Sequence, residues 1–439
     1  MLTALLGTVL VAAATPQPSA TPPPSTVTLS LNQAVDRALT GNLRYRQAQE
    51  SVTSSIAQLR QARSPQFPFL VFSDKYQYTN PLAALTLPPL VPGASPLTLD
   101  QGLKNANDPR VSLSYTLFDG GKTASQVGEA AAGVAAAEAQ AREAADATVQ
   151  AVANGYYTLL ETRRLADVSD EAVRVDQQHV TQAEQFLAAG TVARSDVLRA
   201  DTTLANDQVT AIRAHNTANL AESSLDNLLD YPVSTHLALT DSIAQSVPEL
   251  SLETLQKAAR ENRGELQAAH FAIDAAQAAV GVARSQEAPS ISLDASSGNA
   301  QPQVVSGYHS QFMLQLSAVW TLFDHGLTAG RIQQAESQLS NAKLAYRQAE
   351  QDVDLQVEQA YLNLQAARTG VEAAKRLVTF ADENRRLAEE RYRAGVGTAV
   401  EFADAQLNAT SAQQNLVKAL ADQQTALVDA RYAAGLLGR

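Results

Sequence analysis

The segment Val111–Lys122 reads VSLSYTLFDGGK, and its second half returns as Trp320–Leu327, WTLFDHGL. Each time, a short stretch that alternates apolar and small polar residues stops at Phe-Asp-X-Gly, and a long Ala/Gln/Glu-rich stretch begins. Sliding the chain on itself by about 205 positions keeps this register without a gap to the C-terminus. Phe118 then meets Phe323, Asp119 meets Asp324, Tyr156 meets Tyr361, Arg163 meets Arg368, and Ala189-Gly190 meets Ala394-Gly395. The preceding part repeats at a shift of about 221, so the first copy carries roughly sixteen extra residues between Pro68 and Val111. In that part Leu29 meets Leu250, Ala38 meets Ala259, Arg63 meets Arg284 and Pro68 meets Pro289.

The two copies set the expected layout. Residues 29–230 form a first repeat with a helix over Val35–Arg63, strands at 67–79 and 111–118, and helices at 121–187 and 194–229. Residues 250–439 repeat it, with strands at 288–298 and 310–322 and helices at 327–392 and 399–436. Residues 231–249, bracketed by Pro232 and Pro248, link the copies. The Pro-rich segment Asn80–Pro109 reads as a long exposed loop. The period-2 segments place Val111, Leu113, Tyr115 and Leu117 on one face and Ser112, Ser114 and Thr116 on the other. That pattern fits both a half-buried strand and a membrane-barrel strand.

Lys122–Leu187 and Thr328–Tyr392 contain no proline, and as helices each would extend about 100 Å. Gly190 and Gly395 end them, and a second helix returns, which is the signature of an αα-hairpin. The returning helix covers about half of the long one. The helix preceding the strands, stacked end to end with it, covers the rest. A rod results, with a β-hairpin at one end and an αα-turn at the other.

Composition narrows the function. Only 5% of the 439 residues are aromatic, so large side chains are too few for several compact cores, whereas Ala-rich helices can pack closely. A net charge of −12 without a basic cluster leaves no face for nucleic acid. Met1–Ala14 has the apolar run and small-residue end of a secretory signal, and the Pro/Ser/Thr-rich 15–28 reads as a linker. The chain has no Cys, which removes disulfides, a lipidated cysteine and thiol catalysis. No later stretch reaches the roughly 18 consecutive apolar residues of a membrane helix; any crossing must be made by strands.

Enzymatic readings fail on spacing. Gly121-Lys122-Thr123 has Thr116 where a phosphate-binding loop needs its first Gly. The six histidines are scattered without a metal-binding spacing, and no nucleophile elbow is present. The reading has no enzyme, no cofactor and no metal centre.

The Leu-Phe-Asp-X-Gly junctions, the duplication and the segment Arg391-Tyr392-Arg393-Ala394-Gly395-Val396-Gly397-Thr398 together resemble the TolC family of outer-membrane efflux channels, over essentially everything from Leu29 onward. The resemblance implies a mainly α subunit of long coiled-coil hairpins. Its four strands would enter a twelve-stranded barrel shared by a homotrimer in outer-membrane lipid, above a helical tunnel crossing the periplasm. It implies partners as well: a periplasmic adaptor, met at the tips around Gly190, Gly395 and Gly397, and an inner-membrane transporter. The family's acidic constriction falls on Glu401 and Asp404, and its gating tyrosine on Tyr392. The matching loop of the first copy falls on Ser195 and Asp196. The arginine that partners the tyrosine in the family falls on Gly397, which leaves Arg199 and Arg194 as the expected substitutes. Tyr115 and Trp320, equivalent in the repeat, suit an aromatic belt at the lipid interface.

The expected function is a passive duct carrying drugs, toxic compounds or metal ions outward. A conduit for secreted polypeptide, and a soluble periplasmic coiled-coil scaffold or adaptor, remain as alternatives.

Overall fold

The computed structural model describes residues 26–437, apart from 90, 102–104, 234, 245 and 301–308. The expected signal segment 1–14 and residues 15–25 of the linker lie outside the described residues. The last part of that linker is structured, which corrects the expectation: β1 (Thr26–Leu29) pairs in parallel with β6 (His236–Leu239), itself inside the expected inter-repeat linker 231–249. The hydroxyl of Tyr156 ties this sheet down, lying 2.8 Å from the Asp241 carboxylate and 3.1 Å from the Leu29 carbonyl.

The helix expected over Val35–Arg63 is two helices, α1 (Leu31–Gly41) and α2 (Leu43–Arg63). At Asn42 the backbone turns extended, and its side-chain oxygen accepts from the N–H groups of Arg44 and Tyr45 to start α2. The same amide donates to the Leu228 carbonyl at 3.1 Å. A buried break of this kind comes from the tertiary neighbour and leaves no mark in helical periodicity. The second copy breaks at Arg263, between α5 (Leu252–Asn262) and α6 (Gly264–Arg284). Gly264 is required there, because a Cβ would sit 2.5 Å from the Ala139 carbonyl.

The long helices are α3 (Lys122–Ala188) and α7 (Leu327–Arg393), each followed by a 35-residue return helix, α4 (Arg194–Leu228) and α8 (Ala399–Ala433). Helix α3 packs against α2 and α6 over one half and α4 and α8 over the other; α7 packs on α6 and α8. The seams are built mostly from alanine. Ala34 and Ala38 meet Val152, Tyr156 and Leu159 in the first copy, and Ala259 and Ala430 meet Val353, Val357 and Leu364 in the second. Small side chains let backbones approach closely, which is why an aromatic-poor chain can pack this way.

Asp119 starts α3. Its carboxylate accepts from the N–H of Gly121 at 3.1 Å and of Thr123 at 2.8 Å, and from the Thr123 hydroxyl. Asp324 does the same for α7 through Gly326 at 3.0 Å and Thr328 at 2.8 Å. The glycines at the third Phe-Asp-X-Gly position plus one, Gly121 and Gly326, hold φ of 86° and 88°, which favours glycine.

Four strands form one antiparallel sheet in the order β2 (Phe69–Tyr78), β5 (Asn105–Phe118), β7 (Ser290–Ala300), β8 (His309–Val319). Leu70, Leu113, Ala295 and Leu314 stand in one row across it, and Phe72, Val111, Ser297 and Phe312 in another. The opposite face carries Ser114, Asp294 and Gln315, with Ser114 donating to Asp294 at 2.7 Å and Ser292 bonded to Ser317 at 2.8 Å. Large apolar residues of the first face lie open, among them Phe72, Phe312 and Leu316. No helix among the described residues is long and apolar enough to cross a membrane.

Two expectations change in this region. The segment Asn80–Pro109 contains a hairpin of β3 (Ala83–Leu87) and β4 (Leu97–Gln101), with Leu85 opposite Leu99 and Leu87 opposite Leu97. Strand β5 also begins earlier than expected, at Asn105. Pro109 stands within it, opposite Asp74 of β2 and one residue past the last pair with β7, Arg110–Gly298.

Candidate functional site

The tips of the two αα-hairpins are built alike. Gly190 and Gly395 hold φ of 74° and 71°. The N–H of Thr191 reaches back to the Phe186 carbonyl at 3.0 Å, and that of Val396 to the Arg391 carbonyl at 3.1 Å. These bonds close each helix with otherwise orphaned carbonyls satisfied. Gly397 is glycine for space rather than torsion, because a Cβ would lie 3.0 Å from both the Arg391 Cβ and the Tyr392 nitrogen. Thr398 then caps α8: its hydroxyl accepts from the Glu401 N–H at 3.1 Å, and the Glu401 carboxylate accepts from the Thr398 N–H at 3.3 Å.

Tyr392 is 4% exposed. Its ring stacks on Phe402 at 6.0 Å and meets His179 at 5.2 Å and Phe186 at 5.7 Å. Its hydroxyl has no hydrogen-bond partner among the described residues. Burial, with the nearby Asp196 charge, raises its pKa above that of an ordinary tyrosine. This aromatic cluster joins the two hairpins, since Phe186 and His179 come from α3 while Tyr392 and Phe402 come from α7 and α8.

Glu401 and Asp404, one helical turn apart, have different surroundings. Glu401 is held in the α8 cap and lies 3.8 Å from Arg391. Asp404 is exposed and lines a cleft between the hairpins, together with Asp196 and Arg199. Ser195 and Arg194 are exposed at the start of α4. Neither Arg194 nor Arg199 bonds the Tyr392 hydroxyl among the described residues, and the arginine that reaches Glu401 is Arg391, which periodicity could not single out from its neighbours Arg385, Arg386 and Arg393.

Deeper in the same cleft are residues the sequence did not suggest, Asp176 and His179 on α3 and Asp207 on α4. Burial, with the charge and hydrogen bond of Asp207, pushes the Asp176 pKa up to about 7. Burial lowers that of His179, against the opposing charge of Glu389.

At the opposite end of the rod the aromatics separate. Tyr115 is half-buried within β5, opposite Leu293. Trp320 lies just past β8, exposed, and its indole N–H donates to the Glu287 carbonyl at 3.0 Å. The strand expected over 310–322 thus ends before it. No group of three metal-ligating side chains is gathered among the described residues.

Known proteins place this architecture. The profile of the family described as outer membrane efflux protein matches residues 34–230 and 255–436. Protein CyaE of Bordetella pertussis is 26% identical over 94% of this chain and 85% of its own length. A probable efflux pump outer membrane protein of Pseudomonas putida, TtgC, is 25% identical over 92% and 83%. Outer membrane protein TolC of Escherichia coli is 22% identical over 89% and 79%. Among solved structures, CusC superposes with a TM-score of 0.78 at 18% identity, covering 92% of both chains. VceC of Vibrio cholerae gives 0.76 at 19%, covering 92% of this chain and 96% of its own. The chain belongs to the outer membrane efflux protein family, as a TolC-like, non-enzymatic channel subunit of the outer membrane that extends into the periplasm.

Proposed function

We propose that three copies of this chain form one passive duct that carries small molecules from a periplasmic adaptor and inner-membrane transporter to the exterior. The observation that carries this reading is the open sheet. Strands β2 and β8 are its edges, each with one side unpaired among the described residues. Unpaired backbone groups are not tolerated in the hydrocarbon region, and a closed barrel is what satisfies strands there. The order β2-β5-β7-β8 is antiparallel throughout, so β8 of one copy runs antiparallel to β2 of the next. Three sheets of four strands close in this way with the apolar rows outward and the serine-rich rows lining the lumen.

At the far end, Glu401, Asp404 and Asp196 favour cations at the mouth, while Tyr392 and its aromatic neighbours hold the two hairpins together. Small molecules as cargo are supported by relatives named for efflux, including the toluene efflux pump outer membrane protein TtgC and the antibiotic efflux pump outer membrane protein ArpC of Pseudomonas putida.

The test is photo-crosslinking in cells from Thr191 and Val396 at the tips, with identification of the captured protein. Capture of an adaptor that works with a small-molecule pump is the expected result. Capture of an adaptor dedicated to polypeptide export overturns the cargo assignment. Fractionation of the protein without detergent into the soluble periplasm overturns the duct itself.

A further inference from the structure

The cleft between the α3–α4 hairpin and the start of α8 has a volume of about 430 Å³, within the range of small-molecule sites. Three buried side chains among its lining residues carry a polar atom with no hydrogen-bond partner among the described residues: Asp176 Oδ2, His179 Nδ1 and Gln406 Oε1. Asp176 is 3% exposed, and His179 and Gln406 are each 8% exposed. Leaving a buried acceptor unsatisfied costs about 1–3 kcal/mol, so three in one cavity is an unusual concentration. Two of the three are acceptors, and His179 Nδ1 accepts in one of its tautomers. The lining is also acidic, with Asp176, Asp196, Asp207 and Asp404 against Arg199. Its apolar part includes Ala172, Ala200, Val400, Phe402 and Leu407.

We propose that this cleft binds an organic cation, a primary ammonium or amidinium on an apolar body, with its N–H groups on Asp176, Asp207 and Gln406 and its body against Phe402. A bare metal ion fits less well, since no three ligating side chains converge among the described residues and the apolar wall would gain nothing from it. A ligand seated there touches α3, α4 and α8 together, and so links the two hairpins whose separation would open the duct. The site needs only the folded chain and is independent of the cargo and partner assignments above.

Binding is linked to protons. Asp176 faces Asp207 from α4, with His179 on its own helix, Asp196 and Arg199 on α4, Asp404 on α8, and Glu389 of α7 beside His179. Burial and the Asp207 charge keep Asp176 partly protonated at neutrality, so a cation that displaces that proton binds more tightly as pH rises from about 6 to about 8.

The experiment is a fluorescence titration of the full-length protein in detergent with dansylcadaverine, alongside its N-acetylated, uncharged analogue. Saturable binding of the amine is expected, with the neutral analogue at least about tenfold weaker, equivalent to about 1.4 kcal/mol. Asp176→Asn and Gln406→Leu should each weaken the amine by a similar factor without lowering the melting temperature. If Gln406→Leu fails to fold, Asp207→Asn takes its place. Equal binding of the neutral analogue overturns the proposal, as partition into apolar surface or micelle. So does unchanged affinity in Asp176→Asn, or an affinity lost in Glu401→Gln and retained in Asp176→Asn, which moves the site to the mouth.

Discussion

Asp119 and Asp324 make the same two backbone hydrogen bonds in the two copies of the repeat, each to the second and fourth residues that follow. The Phe-Asp-X-Gly motif is thus a helix start: the carboxylate satisfies N–H groups that a helix leaves unpaired, at the positive end of its dipole. Replacing either aspartate by Ala should lower stability by about 1 kcal/mol, and replacement by Asn by only a few tenths. Thermal unfolding of the purified protein followed by circular dichroism separates the two. Equal losses for Ala and Asn would mean that charge, not capping, is what matters.

The duplicated helix break is locked by Arg263. Its guanidinium is 3% exposed, lies 4.7 Å over the Tyr432 ring, and reaches Glu143 at 3.6 Å and the Gln356 side chain at 2.9 Å. Arg263→Ala leaves Glu143 without its cation and should cost about 3–5 kcal/mol. Arg263→Lys should recover little of this, because a point charge cannot reproduce the planar fork. Tyr432→Phe, which loses only the 2.7 Å bond to Glu143, should cost about 1 kcal/mol. Chemical denaturation gives all three values.

At the tips, Gly397→Ala forces a Cβ against the backbone of Tyr392, whereas Gly121→Ala adds one where nothing lies within 4 Å. Both Gly395→Ala and Gly121→Ala place a side chain at positive φ, at roughly 1–2 kcal/mol. Limited proteolysis should show faster cleavage near residues 391–401 in Gly397→Ala and Gly395→Ala. Gly121→Ala, far from the tip, should leave that cleavage rate unchanged.

The raised pKa of Asp176 makes the tip region sensitive to pH. The folded state holds this proton more tightly than the unfolded chain does. Its contribution is therefore fully present below about pH 4 and is lost as pH rises towards about 7. His179, with a lowered pKa, acts in the opposite sense below its ordinary 6.5. Hydrogen exchange over residues 170–210 should therefore quicken, after correction for intrinsic rates, between pH 6 and pH 8. In Asp176→Asn that increase should vanish.

Much of the architecture is legible in the sequence because it is periodic or repeated. The long proline-free helices, the alternating strands and the two Gly-terminated tips each leave a local pattern. What escaped depends on distant neighbours. Arginine is a good helix former, and the only local mark beside Arg263 is Gly264, which by itself is tolerated in a helix; the break follows because Gly264 must pass close to the Ala139 carbonyl and because Glu143 and Tyr432 receive the Arg263 side chain. The β3–β4 hairpin lies among prolines that read as loop, although its leucines alternate. Strands β1 and β6 are four residues each and far apart in sequence. At the candidate gate, Tyr392, Glu401 and Asp404 came from family resemblance, whereas Asp176, His179 and Asp207 are brought together only by packing of α3 on α4 and α8.

The duplication makes barrel closure directly testable. Strand β5 is the repeat of β8, and β7 the repeat of β2, so the β5–β7 pairing gives the register expected between β8 of one copy and β2 of the next. Ser112 pairs with Ser296, and shifting by about 205 and 221 positions places Ser317 opposite Lys75. The chain has no native Cys, so Lys75→Cys combined with Ser317→Cys, oxidised in isolated outer membranes, reports only that contact. A ladder ending at covalent trimer on a non-reducing gel, absent from either single variant, is the predicted result. Monomer alone, with both thiols still reactive to a small maleimide, would contradict closure of the sheet through a neighbouring copy.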